Sequence, residues 1–389
     1  MAKSLLLLIT CCLTAYSLIA QEEIVVGAGR FDLYLPKLKE KNVGLVVNQT
    51  SLVNDTHLVD TLLSRDVAIK AIFAPEHGYS GKVERGETIS DSKDISTGIP
   101  IISIYGSKKK PATEDLKGIQ VMIFDMQDVG SRFFTYISTL HYIMEACAEN
   151  NIPLLVLDRP NPLGHYVDGP ILDPKFKSFI GMHPIPIVHG LTIGEYAQMI
   201  NGQGWLNNGV KCELEIIKLK NYDHHTFYEV PVDPSPNLPD MKSVYLYPSI
   251  CLFEGTKVNE GRGTYKPFQQ FGTPTFTSGN HQFTPKPIPG LSADPKFNGK
   301  VCYGYDLSKI SLEELQKTKE INLFYLLEFY RNSNEKDKFF EPSFDLLAGS
   351  DQLRKQIISG KTEQEIKASW QQGLAHFKET RRKYLLYEE

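Results

Sequence analysis

Charge of one sign is scarce in this chain of 389 residues: 42 Lys and Arg stand against 46 Asp and Glu, for a formal net charge of -4. Proteins that hold a nucleic-acid backbone are usually basic, so that class is disfavoured and no nucleic-acid partner is expected. Cysteine is also scarce. Of six, Cys11 and Cys12 fall within the first twenty residues, which leaves Cys147, Cys212, Cys251 and Cys302. These four are far apart, include no C-x-x-C and have no zinc spacing. Cys147 lies in a helical pattern and Cys251 in an apolar run, so both read as buried free thiols. After residue 20 no apolar run approaches spanning length, and no membrane span is expected. The chain has no G-x-S-x-G elbow, no P-loop and no H-E-x-x-H. Gly27-Ala28-Gly29 begins like a dinucleotide fingerprint, but the third glycine position is Asp32, so the motif fails. His224-His225 has no partner at ligand spacing and reads as a solvated pair. Neither a metal nor a cofactor is expected.

What is present is an ordinary globular composition, 41% hydrophobic and 23% charged, in a chain long enough for two lobes. Lys3, the apolar stretch Leu5 to Ile19 and the small residue Ala20 read as a secretory signal peptide, which makes the protein exported, periplasmic or secreted. Lipidation at Cys11 or Cys12 is disfavoured, because the apolar run ahead of them is short. Residues 21–205 alternate apolar runs with amphipathic stretches. The runs Val43–Val47, Ala68–Ala74, Ile99–Tyr105, Val121–Phe124 and Pro153–Leu157 show little period-2 alternation, as expected of strands buried on both faces. Helical patterns cover His57–Arg65 and Phe133–Asn150, and another begins near Thr192. This is the pattern of an α/β domain with a doubly wound parallel sheet. Residues 206–389 are expected to form an irregular, Pro- and Gly-rich region and a smaller α+β lobe. In that lobe Ser311-x-x-Glu314 and Thr362-x-x-Glu365 are capping-box patterns.

Polar residues cluster where the strands are predicted to end. Asn48-Gln49-Thr50 follows the first run, and Pro75-Glu76-His77-Gly78-Tyr79 follows the second. Asp125-Met126-Gln127-Asp128 through Arg132 and Asp158-Arg159-Pro160-Asn161 follow two others. In an open parallel sheet these ends share one edge, where ligands bind. Each cluster also has a purely structural reading. Thr50 or Ser51 could cap a helix, as could Asp128 or Ser131. Asp158 and Arg159 could form an internal ion pair. Glu76 has no evident structural duty. Two later loops join the set: Pro234-Ser235-Pro236-Asn237-Leu238-Pro239, and Phe253 to Thr264 with Glu254, Glu260 and Arg262.

Carboxylates, amides and aromatic rings together suit a hydroxyl-rich ligand. A pair of carboxylates flanking the scissile bond is the usual equipment of glycoside hydrolysis. Glu76, Asp125, Asp128 and Glu254 are the catalytic candidates. A non-catalytic sugar-binding protein of the cell envelope would use the same residues without turnover.

The segments Gly44–Thr50, Phe73–Tyr79, Phe124–Arg132, Asp158–Pro162, His189–Glu195, Pro234–Pro239, Phe253–Thr256 and Glu260–Thr264 resemble, in order, the motifs of the NamZ family of exo-β-N-acetylmuramidases (YbbC-like). Arg382–Tyr387 extends the likeness to the C-terminal region. The resemblance implies a Rossmann-like domain and a smaller C-terminal lobe with the site in the cleft between them. It implies release of N-acetylmuramic acid from the non-reducing ends of peptidoglycan-derived muramyl saccharides, with Glu76 at the position of the motif glutamate and general acid. Tyr79-Ser80 departs from the aromatic-Arg pair common there. For such a substrate, Arg132 or Arg262 would meet the lactyl carboxylate and Asn48 or Asn237 the N-acetyl group. Gln49, His77, Gln127, Tyr136, Asp158, Asn161, His189 and Glu260 complete the candidate substrate contacts. The second carboxylate stays open between Asp125, Asp128 and Glu254.

Overall fold

The computed structural model describes residues 22–84 and 90–389, so the expected signal peptide and the lipidation sites lie outside the described residues. Strand β1 (Asn42–Val47) is followed by the small hairpin β2 (Leu52–Val53) and β3 (Thr56–His57), then by β4 (Ala68–Ala74), β5 (Ser92–Lys93), β6 (Pro100–Ser103), β7 (Val121–Asp125), β8 (Leu154–Leu157) and β9 (Leu214–Ile217). The main sheet has the order β5-β6-β4-β1-β7-β8-β9. All of its pairings are parallel except the short edge pair β5–β6. Without that edge strand the order is third, second, first, fourth, fifth, sixth, which is the doubly wound Rossmann arrangement.

The near-continuous apolar runs reflect burial on both faces. Val43, Leu45 and Val47 of β1 pack with Tyr34, Leu58 and Leu62 on one side. Val46, Phe73 and Phe124 pack with Leu140, Ile143 and Met144 of the helix Tyr136–Glu149 on the other. The sheet continues past residue 205, because Leu214–Ile217 pairs with β8 as its sixth parallel strand. That strand is short and partly exposed, so its apolar signal is weak. Gly27 is explained by packing: a Cβ there would sit 2.4 Å from the Ile217 carbonyl oxygen and 2.5 Å from the Asp158 nitrogen.

The C-terminal lobe holds the antiparallel strands β10 (Gln270–Thr273), β11 (His281–Phe283) and β12 (Cys302–Asp306), with β12 central. Around them lie Phe324–Asn332, Phe344–Ala348, Gln352–Ile358 and the long helix Glu363–Arg381. Thr192 with Glu195 and Thr362 with Glu365 form complete capping boxes. Ser311 accepts from the Glu314 N–H without the reciprocal bond. Ile366, Trp370, Leu374 and Phe377 of the last helix join the same apolar core as the Tyr136–Glu149 face of the sheet, so the two lobes share one core. The chain then returns to the first lobe. Tyr387 Oη donates to Asp158 Oδ2 at 2.6 Å, and the Leu386 N–H donates to Glu195 Oε1 at 2.8 Å. Cys147, Cys212, Cys251 and Cys302 are all free and buried. No described helix is long and apolar enough to cross a membrane.

A chain of imidazoles lies under the helices. His183 Nε2 meets His141 Nδ1 at 3.0 Å, and His183 Nδ1 meets Tyr196 Oη at 2.7 Å. Trp205 stacks on the His183 ring. Burial holds both histidines neutral, pulling His141 down to about 4 and His183 well below its usual value. Lys110 and Lys177 oppose protonation of His141, and Glu145 favours it. An unfolded histidine titrates near ~6.5, so above that pH neither state carries the charge. Below it the unfolded chain takes protons that the fold excludes, and stability is lost as pH falls from about 6.5 towards about 4. Denaturant midpoints should therefore fall between pH 7 and pH 5. The double variant His141→Gln, His183→Gln should be less stable at pH 7 but show a flatter pH dependence. An equally steep dependence in that variant would remove these histidines as the cause.

Candidate active site

The strand ends converge as expected, but in two layers. The deeper layer is structural. Asp125 closes β7 and receives Arg159 at two points, Nε to Oδ1 at 2.5 Å and Nη2 to Oδ2 at 2.8 Å. Both side chains are buried, and Arg159 also donates to the Leu52 carbonyl at 2.9 Å. Asp125, a catalytic candidate of the sequence, is therefore placed as the buried partner of Arg159. Asp158 has the same kind of duty. It accepts from Thr192 Oγ1, the Gly194 N–H, the Arg159 N–H and Tyr387 Oη. Burial still pushes its carboxyl up to about 7. It caps the helix Ile193–Gln203 and anchors the returning chain.

The other deep candidates are placed in the same way. Asp128 accepts from the Gly130 N–H at 2.7 Å and lies 3.6 Å from His189 Nε2, and both side chains are buried. Gln127 donates to the Asp128 and Pro160 carbonyls. Asn161 bonds the Leu191 carbonyl and the Leu163 N–H, which shapes its own loop. Asn48 receives the Thr50 N–H and hydroxyl, so that cluster is a turn and not a helix cap. Gln49 donates to the Asp233 and Pro234 carbonyls. Arg132, expected to meet a carboxylate, is fully buried and donates to the carbonyls of Pro170, Ile185 and Leu347. Burial pulls it down to about 9. It joins the lobes and faces no cleft. His224 is also corrected: it is buried, 3.0 Å from Glu195 Oε1.

The upper layer is a cavity of about 110 Å³ between the lobes. Of the sequence candidates it gathers Glu76, His77, Tyr136, Asn237, Glu254 and Arg262. Glu76 lies two residues beyond the end of β4, after Pro75, and is buried. The next residue, His77, takes the left-handed conformation (φ 69°) and donates from Nδ1 to the Val83 carbonyl at 2.7 Å, so the chain turns sharply after the glutamate. Tyr105 Oη donates to Glu76 Oε1 at 2.6 Å, and Thr135 Oγ1 donates to Oε2 at 2.8 Å. Thr135 stands at the N-cap of Tyr136–Glu149 but makes no side-chain cap bond. Its hydroxyl serves Glu76 instead, at a helix end whose partial positive charge suits a carboxylate. Neither Asp128 nor Ser131 caps this helix, which starts three residues later than the periodicity suggests.

The opposite wall comes from the second half of the chain. Arg262 Nη2 meets Glu254 Oε1 at 2.7 Å and its Nε meets Glu260 Oε1 at 3.2 Å. The guanidinium lies 5.2 Å from the Phe268 ring centre. Glu260 also takes Lys296 at 3.3 Å, which makes it the buried holder of two cations. Asn237 lines the cavity while its amide donates to the Leu291 carbonyl. A neighbouring cavity of about 200 Å³ includes Glu260 and Lys296 in its lining. The two cavities share Ile180, Glu254, Arg262 and Leu347, so they form one cleft.

Sequence reasoning missed Tyr105 and Thr135. Tyr105 was placed inside the run Ile99–Tyr105, but β6 stops at Ser103, so Tyr105 is another residue beyond a strand end. The rule that found Glu76 would have found it had the strand been ended two residues earlier. Thr135 gave no signal apart from a hydroxyl near a helix start. Among the described residues no group of three His, Cys, Asp or Glu side chains could hold a metal ion.

A doubly wound domain capped by an α+β lobe, with a buried glutamate in the cleft between them, defines the class: a two-lobed α/β protein with its candidate site between the lobes. Residues 43–242 match the family described as exo-β-N-acetylmuramidase NamZ, N-terminal, and residues 245–387 match its C-terminal counterpart. The chain belongs to the NamZ exo-β-N-acetylmuramidase family. It is 38% identical over 375 residues to the peptidoglycan β-N-acetylmuramidase NamZ of Bacillus subtilis (strain 168), covering 91% of this chain and 89% of the relative. Two DUF1343 family crystal structures from Bacteroides fragilis NCTC 9343 share its fold. One is 48% identical with a TM-score of 0.87, and the other 29% identical with a TM-score of 0.78; each match covers 94% of this chain and 99% of the other.

The deep layer is testable by stability. Asp125→Ala leaves Arg159 buried without its carboxylate and should cost about 3–5 kcal/mol, read from urea unfolding. A loss below about 1 kcal/mol, the range of an exposed pair, would contradict the structural assignment.

Proposed function

We propose that this cleft removes terminal N-acetylmuramic acid from the non-reducing ends of peptidoglycan fragments, with Glu76 as the general acid. The carrying observation is the company that Glu76 keeps. Asp125, Glu254 and Glu260 each face an arginine. Glu76 is bound by two neutral hydroxyls and has no cationic partner among the described residues. A hydroxyl can donate to a carboxylate or accept from a carboxylic acid, so both contacts serve Glu76 with or without its proton. That is what a group needs if it is to give a proton to the glycosidic oxygen and then be recharged.

In the reaction the Glu76 proton passes to the leaving oxygen as the bond from the anomeric carbon breaks. Water supplies hydroxide to that carbon, and its remaining proton restores the acid. The products are free N-acetylmuramic acid and a saccharide shortened by one unit. Asp125 and Asp128 are sealed in the deep layer, so Glu254 is the second carboxylate lining this cavity among the described residues. We assign it the role of nucleophile or base, held in place by Arg262. Arg262 and Lys296 give the cleft its positive side, suited to the lactyl carboxylate. Tyr136, Phe179 and Tyr247 offer ring faces to the sugar. The substrate lies outside the cytoplasm, and the leader-like residues 1–20 support the reading that the enzyme is exported.

Glu76→Gln keeps the shape and both hydroxyl contacts but cannot supply the proton. Turnover of a MurNAc-GlcNAc disaccharide, whose leaving oxygen is a sugar hydroxyl that needs a proton, should fall by about 10²–10⁴ with the unfolding midpoint nearly unchanged. Glu254→Gln should also lose turnover. A folded Glu76→Gln enzyme with wild-type kcat would defeat the assignment, and the same result for Glu254→Gln would remove Glu254 from the chemistry. The anomer first formed from a MurNAc-GlcNAc disaccharide separates retention from inversion.

A further inference from the structure

An open groove of about 720 Å³ lies beside the catalytic cavity. Its volume is within the range of about 300–1,000 Å³ typical of ligand sites, and it has no part in the chemistry above. Three loops build both spaces. The loop after β4 gives Glu76 and His77 to the cavity, and Ser80, Gly81 and Lys82 to the groove. The loop 233–239 gives Ser235 and Asn237 to the cavity, and Asp233, Pro236 and Pro239 to the groove. The loop 260–267 gives Arg262 to the cavity, and Tyr265 and Pro267 to the groove.

The loops that line both spaces are held in place. Gln49 holds the Asp233 and Pro234 carbonyls, and Tyr136 Oη reaches the Pro234 carbonyl at 3.3 Å. Asn237 holds the Leu291 carbonyl from the cavity side. Two residues expected to grip substrate, Gln49 and Asn237, thus spend amide donors on holding these loops. In the groove Tyr265 stands 81% exposed beside prolines, with Lys82 and Asp233 as polar neighbours. A large ring left bare on a loop it shares with the catalytic arginine makes no contribution to the core.

We propose that this groove binds the leaving-group side of the glycan, the sugars beyond the scissile bond, with Tyr265 as their stacking platform. The proposal rests on the hydrolase reading and extends it. On the hydrolase reading the cleft formed by the two joined cavities holds the terminal sugar, with its lactyl carboxylate towards Arg262 and Lys296, and the remaining chain lies outside it. The groove built from the same loops is where an apolar ring and flanking polar groups offer that chain a surface. Saccharide binding needs both, because a pyranose has an apolar face and a rim of hydroxyls.

Tyr265→Ala is the test, compared with wild type on a chromogenic β-muramide, a MurNAc-GlcNAc disaccharide and a tetrasaccharide of two such repeats. The variant should lose about five- to tenfold in kcat/KM on the tetrasaccharide through KM, as loss of one aromatic contact predicts, and nothing on the chromogenic substrate. An equal loss on all three substrates, or none on any, would overturn the proposal. If the wild type leaves all three intact, the hydrolase reading fails instead. Titration of the tetrasaccharide then still decides the groove: saturable binding weakened by Tyr265→Ala supports it, and binding indifferent to the variant ends it.

Discussion

The bidentate contact between Arg159 and Asp125 ties the end of β8 to the end of β7, and its third bond reaches the hairpin after β1. The ion pair lies over the fourth and fifth parallel strands, its bond to Leu52 crosses the point between the first and fourth where the doubly wound sheet changes direction, and it is closed to solvent. In many folds of this architecture that crevice receives the ligand. Here it is filled by the protein's own charges. The ligand-sized space is displaced sideways, over the end of β4, where the second lobe supplies the facing wall.

That displacement explains the division of labour among polar residues. A buried charge needs partners, and Asp125, Asp158, Arg132 and Arg159 are each held by several donors or acceptors. Such groups are fixed and have little freedom to exchange a proton or turn to a substrate. Glu76 stands one step outside this network, supported on two sides by hydroxyls. The contrast between a carboxylate held by guanidinium and one cradled by neutral hydroxyls separates the groups that keep their charge, Asp125 in the scaffold and Glu254 in the cleft, from the one fitted to give up a proton.

Much of the fold was legible because burial on both faces leaves a plain mark. Val43–Val47 and Val121–Phe124 hold no polar side chain and Ala68–Ala74 only Lys70, and each became a strand with nearly the expected limits. The strand Leu214–Ile217 was not legible, since an edge strand with exposed positions alternates weakly. The site was half legible. Glu76, His77, Tyr136, Asn237, Glu254 and Arg262 meet in the cavity. Asp128, Asn161 and His189 share the motif segments but turn inward. Sequence shows that a polar residue follows a strand. It does not show whether a nearby arginine or backbone amide claims that residue first. For Asp125 the claimant was Arg159, thirty-four positions away.

The bond from Tyr387 to Asp158 spans 229 residues, and it completes the cap of a helix belonging to the first lobe. Bonds of such sequence separation form late, because the intervening loop must close first. A ribosome making this chain therefore releases a first lobe whose Asp158 lacks one of its four partners until almost the whole polypeptide exists. Until then Asp158 is a buried acid with an incomplete shell, so the nascent lobe is held short of its final stability. The returning segment thus adds a polar tie to lobes that already share one apolar core.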